Sequence, residues 1–272
     1  SPTAWWEFKR NRPDLRARKE TAGRPSSPSC YAPRVGEGLD KSAVKIRSMF
    51  ASIAPRYDLL NRLLSGGSDV AWRRKAATLL AICPGERLLD LCSGTGDLAL
   101  QLHQTSGGAC RIVAADFTFE MLALGQRKIR AAAAPIPEAT ADGLRLPFPD
   151  ATFDGTAAAF GVRNFESLER GLAEAHRVLK PGGRFLILEF APEPVGPFRP
   201  LVVLYLKYVL PLVGGLISRD GGAYRYLPES MSRWPSPETL AEKLRDAGFA
   251  AVEIHRLSFG IAVIHLARKG KR

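Results

Sequence analysis

The chain has few of the residues that bind metals or cross-link small domains. Among its 272 residues there are only four cysteines and four histidines. The cysteines form no Cys-x-x-Cys pair and the histidines show no ligand spacing, so we expect neither a zinc site nor a disulfide framework. This cysteine usage fits a reducing cytoplasm, which is the compartment we expect.

Long apolar runs are also scarce. Residues 1–38 contain no apolar core segment and are rich in Arg, Pro and Ser, so we expect a disordered basic extension and no secretory leader. The longest apolar stretch, LVVLYLKYVLPLVGGLI at 201–217, is interrupted by Lys207 and Pro211 and is short for a bilayer span. We interpret residues 191–235 as a lid insertion of one or two helices.

The charge is strongly of one sign. A net charge of +12 suggests nucleic acid or an anionic membrane surface as a partner, although an ordinary basic enzyme fits equally well. After residue 40 there is no compact run of Lys and Arg with interleaved aromatic residues. Because such a run is typical of nucleic-acid binding, we expect no nucleic-acid partner.

Strand patterns and helix patterns alternate along most of the chain. Helices are predicted at 41–53, which Pro55 should end, and from an N-cap at Asp69 to residue 80. The later elements are strands at 87–91, 111–115, 138–141, 152–159 and 184–190, helices at 97–103, 119–131, 166–179 and 237–247, and two strands around 258–260. This order predicts an α/β domain at 39–272 with a doubly wound, mostly parallel, seven-stranded sheet that ends in an antiparallel hairpin.

The most specific local feature is the stretch LLDLCSGTGDLAL at 88–100. An apolar run ends in Asp90, glycines follow at Gly94 and Gly96, and helix-forming residues come next. This is the order strand, tight turn, helix, which brings backbone N–H groups close to a nucleotide-like ligand. Gly94, Thr95 and Gly96 are therefore candidate cofactor-binding residues, and we interpret Cys92 as a small apolar filler.

The loop by itself is compatible with two cofactors. Its Gly-x-Gly-x-x-Ala pattern, with Asp116 twenty residues after Gly96, also occurs in NAD enzymes, where the acid binds the ribose hydroxyls. S-adenosylmethionine (SAM) has no phosphate but carries an ammonium group, which the carboxylate of Asp90 would attract. Alternatively, Asp90 caps the N–H groups of its own loop.

Two later segments favour SAM. They are DGLRLPFPDATFD at 142–154 and RVLKPGGRFLI at 177–187. Together with the glycine loop, they resemble the motifs of class I SAM-dependent methyltransferases, whose fold is Rossmann-like. The resemblance implies binding roles for several residues. The methionine part would lie on Gly94, Thr95 and Gly96, the ribose on Asp116, and the adenine beside Asp142 and Gly143, with Phe117 and Met121 packing on it or belonging to the core.

Three further segments make the resemblance more specific. They are MFASIAPRYDLLNRLLS at 49–65, FGVRN at 160–164 and GAYRYLPESM at 222–231. With them, the chain resembles the menaquinone/ubiquinone-biosynthesis C-methyltransferases of the UbiE type from about residue 44 to residue 269. One departure is Ala159, where that family usually has serine, so one polar contact to the cofactor is expected to be missing.

The implied chemistry needs an ionised acceptor. A ring carbon becomes nucleophilic when the neighbouring hydroxyl loses its proton, and an ordinary phenol has a pKa of roughly 10. Arg163 is the candidate to stabilise that anion, Asp142 or water would take the proton, Asn164 would bind the second oxygen, and Tyr57 and Tyr224 would orient the ring. Each has a structural alternative: Arg163 in a salt bridge, Asn164 as a helix cap, and the tyrosines in packing.

The resemblance implies SAM-dependent methylation of demethylmenaquinol to menaquinol, in the cytoplasm or at the inner face of the cell membrane. Four alternatives stay open. The acceptor could be a 2-methoxy-6-polyprenyl-1,4-benzoquinol of ubiquinone biosynthesis, or another small aromatic, a lipid or RNA. The chain could also be a non-catalytic SAM-binding subunit of a quinone-biosynthesis complex, or an NAD-dependent oxidoreductase. The lid and the first helix would form a groove for the polyprenyl tail. Peripheral contact with an anionic membrane and a homodimer also stay open.

Overall fold

The computed structural model describes residues 42–192 and 229–271, together with the single positions Leu204, Tyr208 and Tyr226. The extension predicted at 1–38 lies outside the described residues. So does most of the lid predicted at 191–235, including Tyr224. Within the described part of the chain, no helix is both long and apolar enough to cross a membrane.

Three helices precede the sheet: α1 (Ala43–Ile53), α2 (Tyr57–Leu64) and α3 (Ser68–Leu79). Helix α1 ends at Ile53, before Pro55, as predicted. Pro55 lies in a short 3₁₀ turn that leads directly into α2, a helix that was not predicted. Asp69 is not the cap of α3. Gly67, at φ +79°, precedes the helix, and Asp69 lies buried in its first turn.

The sheet has seven strands in the order β3-β2-β1-β4-β5-β7-β6. The strands are β1 (Arg87–Leu91), β2 (Arg111–Asp116), β3 (Glu138–Thr140), β4 (Phe153–Ala159), β5 (Leu179–Phe190), β6 (Phe249–Leu257) and β7 (Ala262–Lys269). The helices between them are α4 (Asp97–Thr105), α5 (Phe119–Ala131), α6 (Leu168–Val178) and α7 (Pro237–Asp246). The first five strands are parallel, and β7 is antiparallel to both β5 and β6. The predicted fold is confirmed.

Several boundaries differ from the predicted ones by a few residues, and two of these differences have a clear local cause. Helix α6 begins at Leu168 because the hydroxyl of Ser167 caps it by accepting the N–H of Arg170. Strand β5 begins at Leu179 rather than at residue 184, since Leu179 already pairs with Phe153 before the register shifts to Gly155 and Arg184.

Neighbouring side chains of β1 are buried on opposite faces of the sheet. Leu88 packs in a cluster with α3 and α4, whereas Leu89 packs in a second cluster with α6 and α7. Because helices cover both faces, the strand is an apolar run without alternation. The chain winds away in opposite directions on either side of the β1–β4 boundary, which opens a crevice beyond the carboxyl ends of these strands.

Candidate functional site

Loops at the carboxyl ends of β1 to β4 enclose a cleft of about 800 Å³ that opens to solvent. Side chains of α1 and α2 complete its wall. The cleft brings together most of the residues that the sequence predicted for the site, namely Tyr57, Gly94, Asp116, Phe117, Asp142, Gly143 and Asn164. A smaller cavity of about 290 Å³ adjoins it and is lined by Asp90 and Thr95.

The glycine loop has the backbone conformation that its sequence predicts. Gly94 and Gly96 have φ of +55° and +77°, a region that favours glycine. Helix α5 packs tightly against this loop at Gly125, where a Cβ would lie 3.2 Å from the carbonyl carbon of Thr95 and 2.9 Å from a carboxylate oxygen of Glu138. The loop is therefore held from behind by the helix that follows β2.

Asp116 is fixed at the end of β2 by backbone donors. Its two carboxylate oxygens accept the N–H groups of Gly94 at 2.9 Å and Thr118 at 2.8 Å. Burial raises the pKa of this carboxyl. Since each carboxylate oxygen can accept a second hydrogen bond, Asp116 can still bind two neighbouring hydroxyl groups in the cleft.

Asp90 is fully buried, and neither of its carboxylate oxygens has a hydrogen-bond partner among the described residues. Asp90 therefore does not cap the N–H groups of its own loop. Burial raises the pKa of Asp90 to about 8. A buried carboxylate without a partner, lining a small cavity, fits a cationic group such as the ammonium of SAM.

Asp142 and Gly143 line the same cleft as Gly94. Asp142 is exposed, and its side chain accepts the N–H of Leu144 at 2.9 Å. A Cβ on Gly143 would lie 2.6 Å from the ring of Phe165, so glycine is required for this close approach. Phe165 lines the cleft as well, so its ring lies beside these two residues in the cleft wall.

Arg163 lies behind the cleft wall rather than in it. Its Nη1 is 2.7 Å from Glu189 and donates to the carbonyl of Phe160 at 2.6 Å. Burial acts to lower the pKa of Arg163, but the Glu189 carboxylate outweighs burial and raises it. The guanidinium therefore carries its charge in a buried ion pair, which is the structural alternative named for this residue.

Asn164 forms a hydrogen bond with Tyr226, a residue that was not predicted to belong to the site. The hydroxyl of Tyr226 donates to Asn164 Oδ1 at 2.9 Å. Burial raises the pKa of Tyr226 to about 12 and also raises the pKa of Tyr57, so both hydroxyls stay protonated and act as donors. Asn164 does not cap α6, because Ser167 does.

Cys92 and Glu189 also shape the site. A Cβ on Gly161 would lie 2.2 Å from the Cβ of Cys92, so the loops after β1 and β4 meet here in close contact. Burial raises the pKa of the Cys92 thiol well above its ordinary value, which fits a filler. The only sequence signal for Glu189 was an acid within the apolar run RFLILEF.

These features define a protein with the class I methyltransferase fold. A SAM-dependent methyltransferase from Aquifex aeolicus is similar, with a TM-score of 0.53 and 20% identity, over 72% of this chain and 88% of that one. A possible histamine N-methyltransferase from Thermotoga maritima has a TM-score of 0.60 and 18% identity, over 84% and 100%. The cyclase SpnF reaches 0.62 at 19% identity, over 83% and 95%, so this likeness shows the fold alone.

The chain belongs to the ubiE/COQ5 methyltransferase family, whose model matches residues 39–269. The demethylmenaquinone methyltransferase of Thermus thermophilus is 51% identical, over 80% of this chain and 98% of the relative. That of Deinococcus radiodurans is 47% identical, over 85% and 94%. The Geobacter sulfurreducens ubiquinone/menaquinone biosynthesis C-methyltransferase UbiE is 43% identical, over 85% and 91%. The predicted family resemblance is confirmed.

Proposed function

We propose that the chain methylates a ring carbon of a polyprenylated quinol with SAM, and that demethylmenaquinol is the acceptor. The observation that carries the proposal is the 51% identity over 98% of the Thermus relative, because a match of that extent reaches well beyond the cofactor loops. A benzoquinol acceptor is the second candidate, since the family and the Geobacter relative include ubiquinone in their names.

In this proposal the carboxyl ends of β1, β2 and β3 hold SAM. Asp90 pairs with its ammonium group, the backbone of Gly94 bounds its methionine part, and Asp116 accepts the ribose hydroxyls. Asp142 and Gly143, which line the same cleft, flank the adenine. When bound there, SAM supplies an electrophilic methyl group that needs little further activation.

The acceptor then depends on donors that stabilise its ionised oxygen. Asn164 lines the cleft, and because its Oδ1 already accepts from Tyr226, its amide N–H₂ is left to donate to a quinol oxygen. Tyr57 lines the same cleft and supplies a second donor. The charge of Arg163, one layer behind, lowers the cost of a negative oxygen, since electrostatic interactions are stronger where water is excluded. Asp142, at the exposed side of the cleft, takes the proton, either directly or through water.

The test is a methyl-transfer assay with labelled SAM and both reduced acceptors, supplied separately. Label in the naphthoquinol supports the proposal, and a strong preference for the benzoquinol favours the second candidate. If adenosylhomocysteine binds but neither quinol is labelled, the chain is a SAM-binding subunit without this activity. A parallel sample with RNA in place of the quinol tests RNA as the acceptor.

A peripheral membrane contact follows from the same acceptor. Leu59 and Leu63 lie one turn apart on α2 with exposed fractions of 61% and 52%, and Val44 on α1 is also exposed. Apolar side chains on a chain of net charge +12 suit the surface of an anionic bilayer. We expect flotation with anionic vesicles and weaker flotation of Leu59→Ser/Leu63→Ser, with zwitterionic vesicles as the control. A wild-type protein that stays entirely in the soluble fraction would end this part of the proposal.

A further inference from the structure

A cluster of polar side chains joins helix α2 to the cofactor loop. The hydroxyl of Thr95 donates to Asp58 at 2.5 Å, and Lys128 Nζ lies 2.8 Å from the other oxygen of Asp58. Lys128 also donates to Thr95 Oγ1 at 3.2 Å and contacts Asp97, the first residue of α4. We call Asp58, Thr95, Asp97 and Lys128 the latch. Thr95, predicted only as a cofactor contact, thus directs its hydroxyl to α2.

The latch continues into a second set of ion pairs. Arg62 of α2 donates to Asp97 at 2.9 Å and also contacts Asp69, which pairs with Arg73. Burial acts to raise the pKa of Asp97, but Lys128 and Arg73 outweigh it and lower the pKa, so this carboxylate is ionised at neutral pH. Three acids and three cations therefore alternate, and they connect α2, α3, α4 and α5.

The latch holds a part of the chain that covers the cleft. Residues 43–64, comprising α1, the 3₁₀ turn and α2, are called the cap. Ile46, Phe50 and Tyr57 of the cap line the cleft, and the Phe50 and Tyr57 rings meet edge to face at 6.1 Å. Tyr57 immediately precedes Asp58, so any movement of Asp58 displaces the side chain proposed to face the acceptor.

We propose that Asp58 and Lys128 are positioning residues that hold the cap, and with it Tyr57, over the cofactor loop. Because Gly94 and Thr95 lie under the cap, a closed latch retains the bound cofactor, and an opened latch releases it. Lys128 and Asp58 are 30% and 38% exposed. A single ion pair at such exposure contributes little to stability, whereas a connected network contributes more. The latch therefore favours the closed position of the cap but still allows the cap to open. The inference rests on the proposed function only for the identity of the cofactor.

The test compares Asp58→Asn, Lys128→Gln and the double variant by hydrogen exchange of residues 43–64 and by adenosylhomocysteine calorimetry. Each single change should speed exchange of the cap and weaken binding by roughly threefold to tenfold. The double variant should bind adenosylhomocysteine no more weakly than the more affected of the two single variants, because both changes open the same latch. In the assay, KM for SAM should rise by a similar factor, and kcat should fall by less than KM rises, since saturating SAM itself favours the closed latch.

Two controls make the test specific. Glu169→Gln breaks the ion pair between Glu169 on α6 and Lys243 on α7, 2.8 Å apart, and should change neither exchange of the cap nor binding. Lys128→Arg keeps the cation and should restore most of the affinity that Lys128→Gln loses. Raised salt should weaken binding to the wild type more than to the double variant, since exposed ion pairs are screened.

The latch is refuted if Asp58→Asn leaves both cap exchange and affinity at wild-type values, or if the two single effects simply add. A failure of the proposed function looks different. Cap exchange would then respond to the variants as expected, while the wild type either methylated no quinol or bound no adenosylhomocysteine.

Discussion

The side chains of Arg163 and Glu189 form a buried ion pair, with exposed fractions of 7% and 2% and an N–O distance of 2.7 Å. Removing one member leaves the other charge buried and unpaired. We therefore expect Glu189→Ala to lower the free energy of unfolding by about 3–5 kcal/mol in urea titrations. Glu169→Ala, which breaks an exposed pair, should cost less than about 1 kcal/mol. Equal effects would mean that the Arg163 pair is not sequestered from water.

Arg163→Lys separates the catalytic role from the structural one. Lysine keeps the charge but loses the planar donors that fix it between Glu189 and the Phe160 carbonyl. The charge is then displaced relative to the cleft, so turnover should fall roughly tenfold or more while the affinity for SAM stays near the wild-type value. The measurements are steady-state turnover and adenosylhomocysteine calorimetry. Parallel losses of turnover and affinity would assign Arg163 a purely structural role.

Asp116→Ala should have the opposite pattern. Loss of the carboxylate removes charge-assisted hydrogen bonds to the ribose, so binding of SAM should weaken by about 1–3 kcal/mol. Asp154→Ala is the matched control, since that acid pairs with Lys180 at the amino-terminal end of β4, whereas the cleft lies at the carboxyl end. If both variants weaken binding alike, Asp116 does not contact the cofactor.

Asp90 predicts a pH dependence of stability in the ligand-free protein. Its pKa rises from 3.8 when unfolded to about 8 when folded, so the folded state holds a proton that the unfolded state releases. The contribution of protonated Asp90 to the free energy of unfolding is therefore fully present below pH 3.8 and is lost as the pH rises toward 8. Above about pH 8 it no longer changes with pH. Asp90→Asn has no such proton and should lack this loss.

Thermal unfolding between pH 5 and pH 8.5 provides the measurement. As the pH rises toward 8, the melting temperature of Asp90→Asn should increase relative to that of the wild type. The variant should also bind adenosylhomocysteine more weakly than the wild type does. Binding to the wild type near neutral pH should also release a proton, which calorimetry in buffers of different ionisation enthalpy detects. Parallel pH profiles for the two proteins would contradict the prediction.

Local patterns predicted the fold well because each strand and helix carries its own signal. The bounds of β1 and α5 agree with the predicted ones, since apolar residues and helix formers begin and end there. Pro55 correctly predicted the end of α1 at Ile53. Helix α2 was missed because the fixed φ of proline also suits the first turn of a new helical segment, which begins at Ala54.

The backbone of the glycine loop and the position of Asp116 at the end of β2 were also predictable, since Gly94, Gly96 and Asp116 belong to one local pattern. The contacts of the latch and of Asn164 join distant residues: Asp58 and Lys128 are 70 positions apart, and Asn164 and Tyr226 are 62. Only the tertiary fold creates these pairs. The sequence could therefore suggest which residue types matter there, but not which partner each one has.

The contact between Gly125 and the cofactor loop limits how this enzyme can be made more heat-resistant. Replacing a helical glycine by alanine is an ordinary stabilising change, worth about 0.4–1 kcal/mol. At Gly125 the added methyl group would lie 2.9 Å from the carboxylate of Glu138 and 3.2 Å from the backbone of Thr95, so the side chain and the cofactor loop would both have to shift. Efforts to engineer thermal tolerance should therefore leave this small residue unchanged and begin on surfaces remote from it.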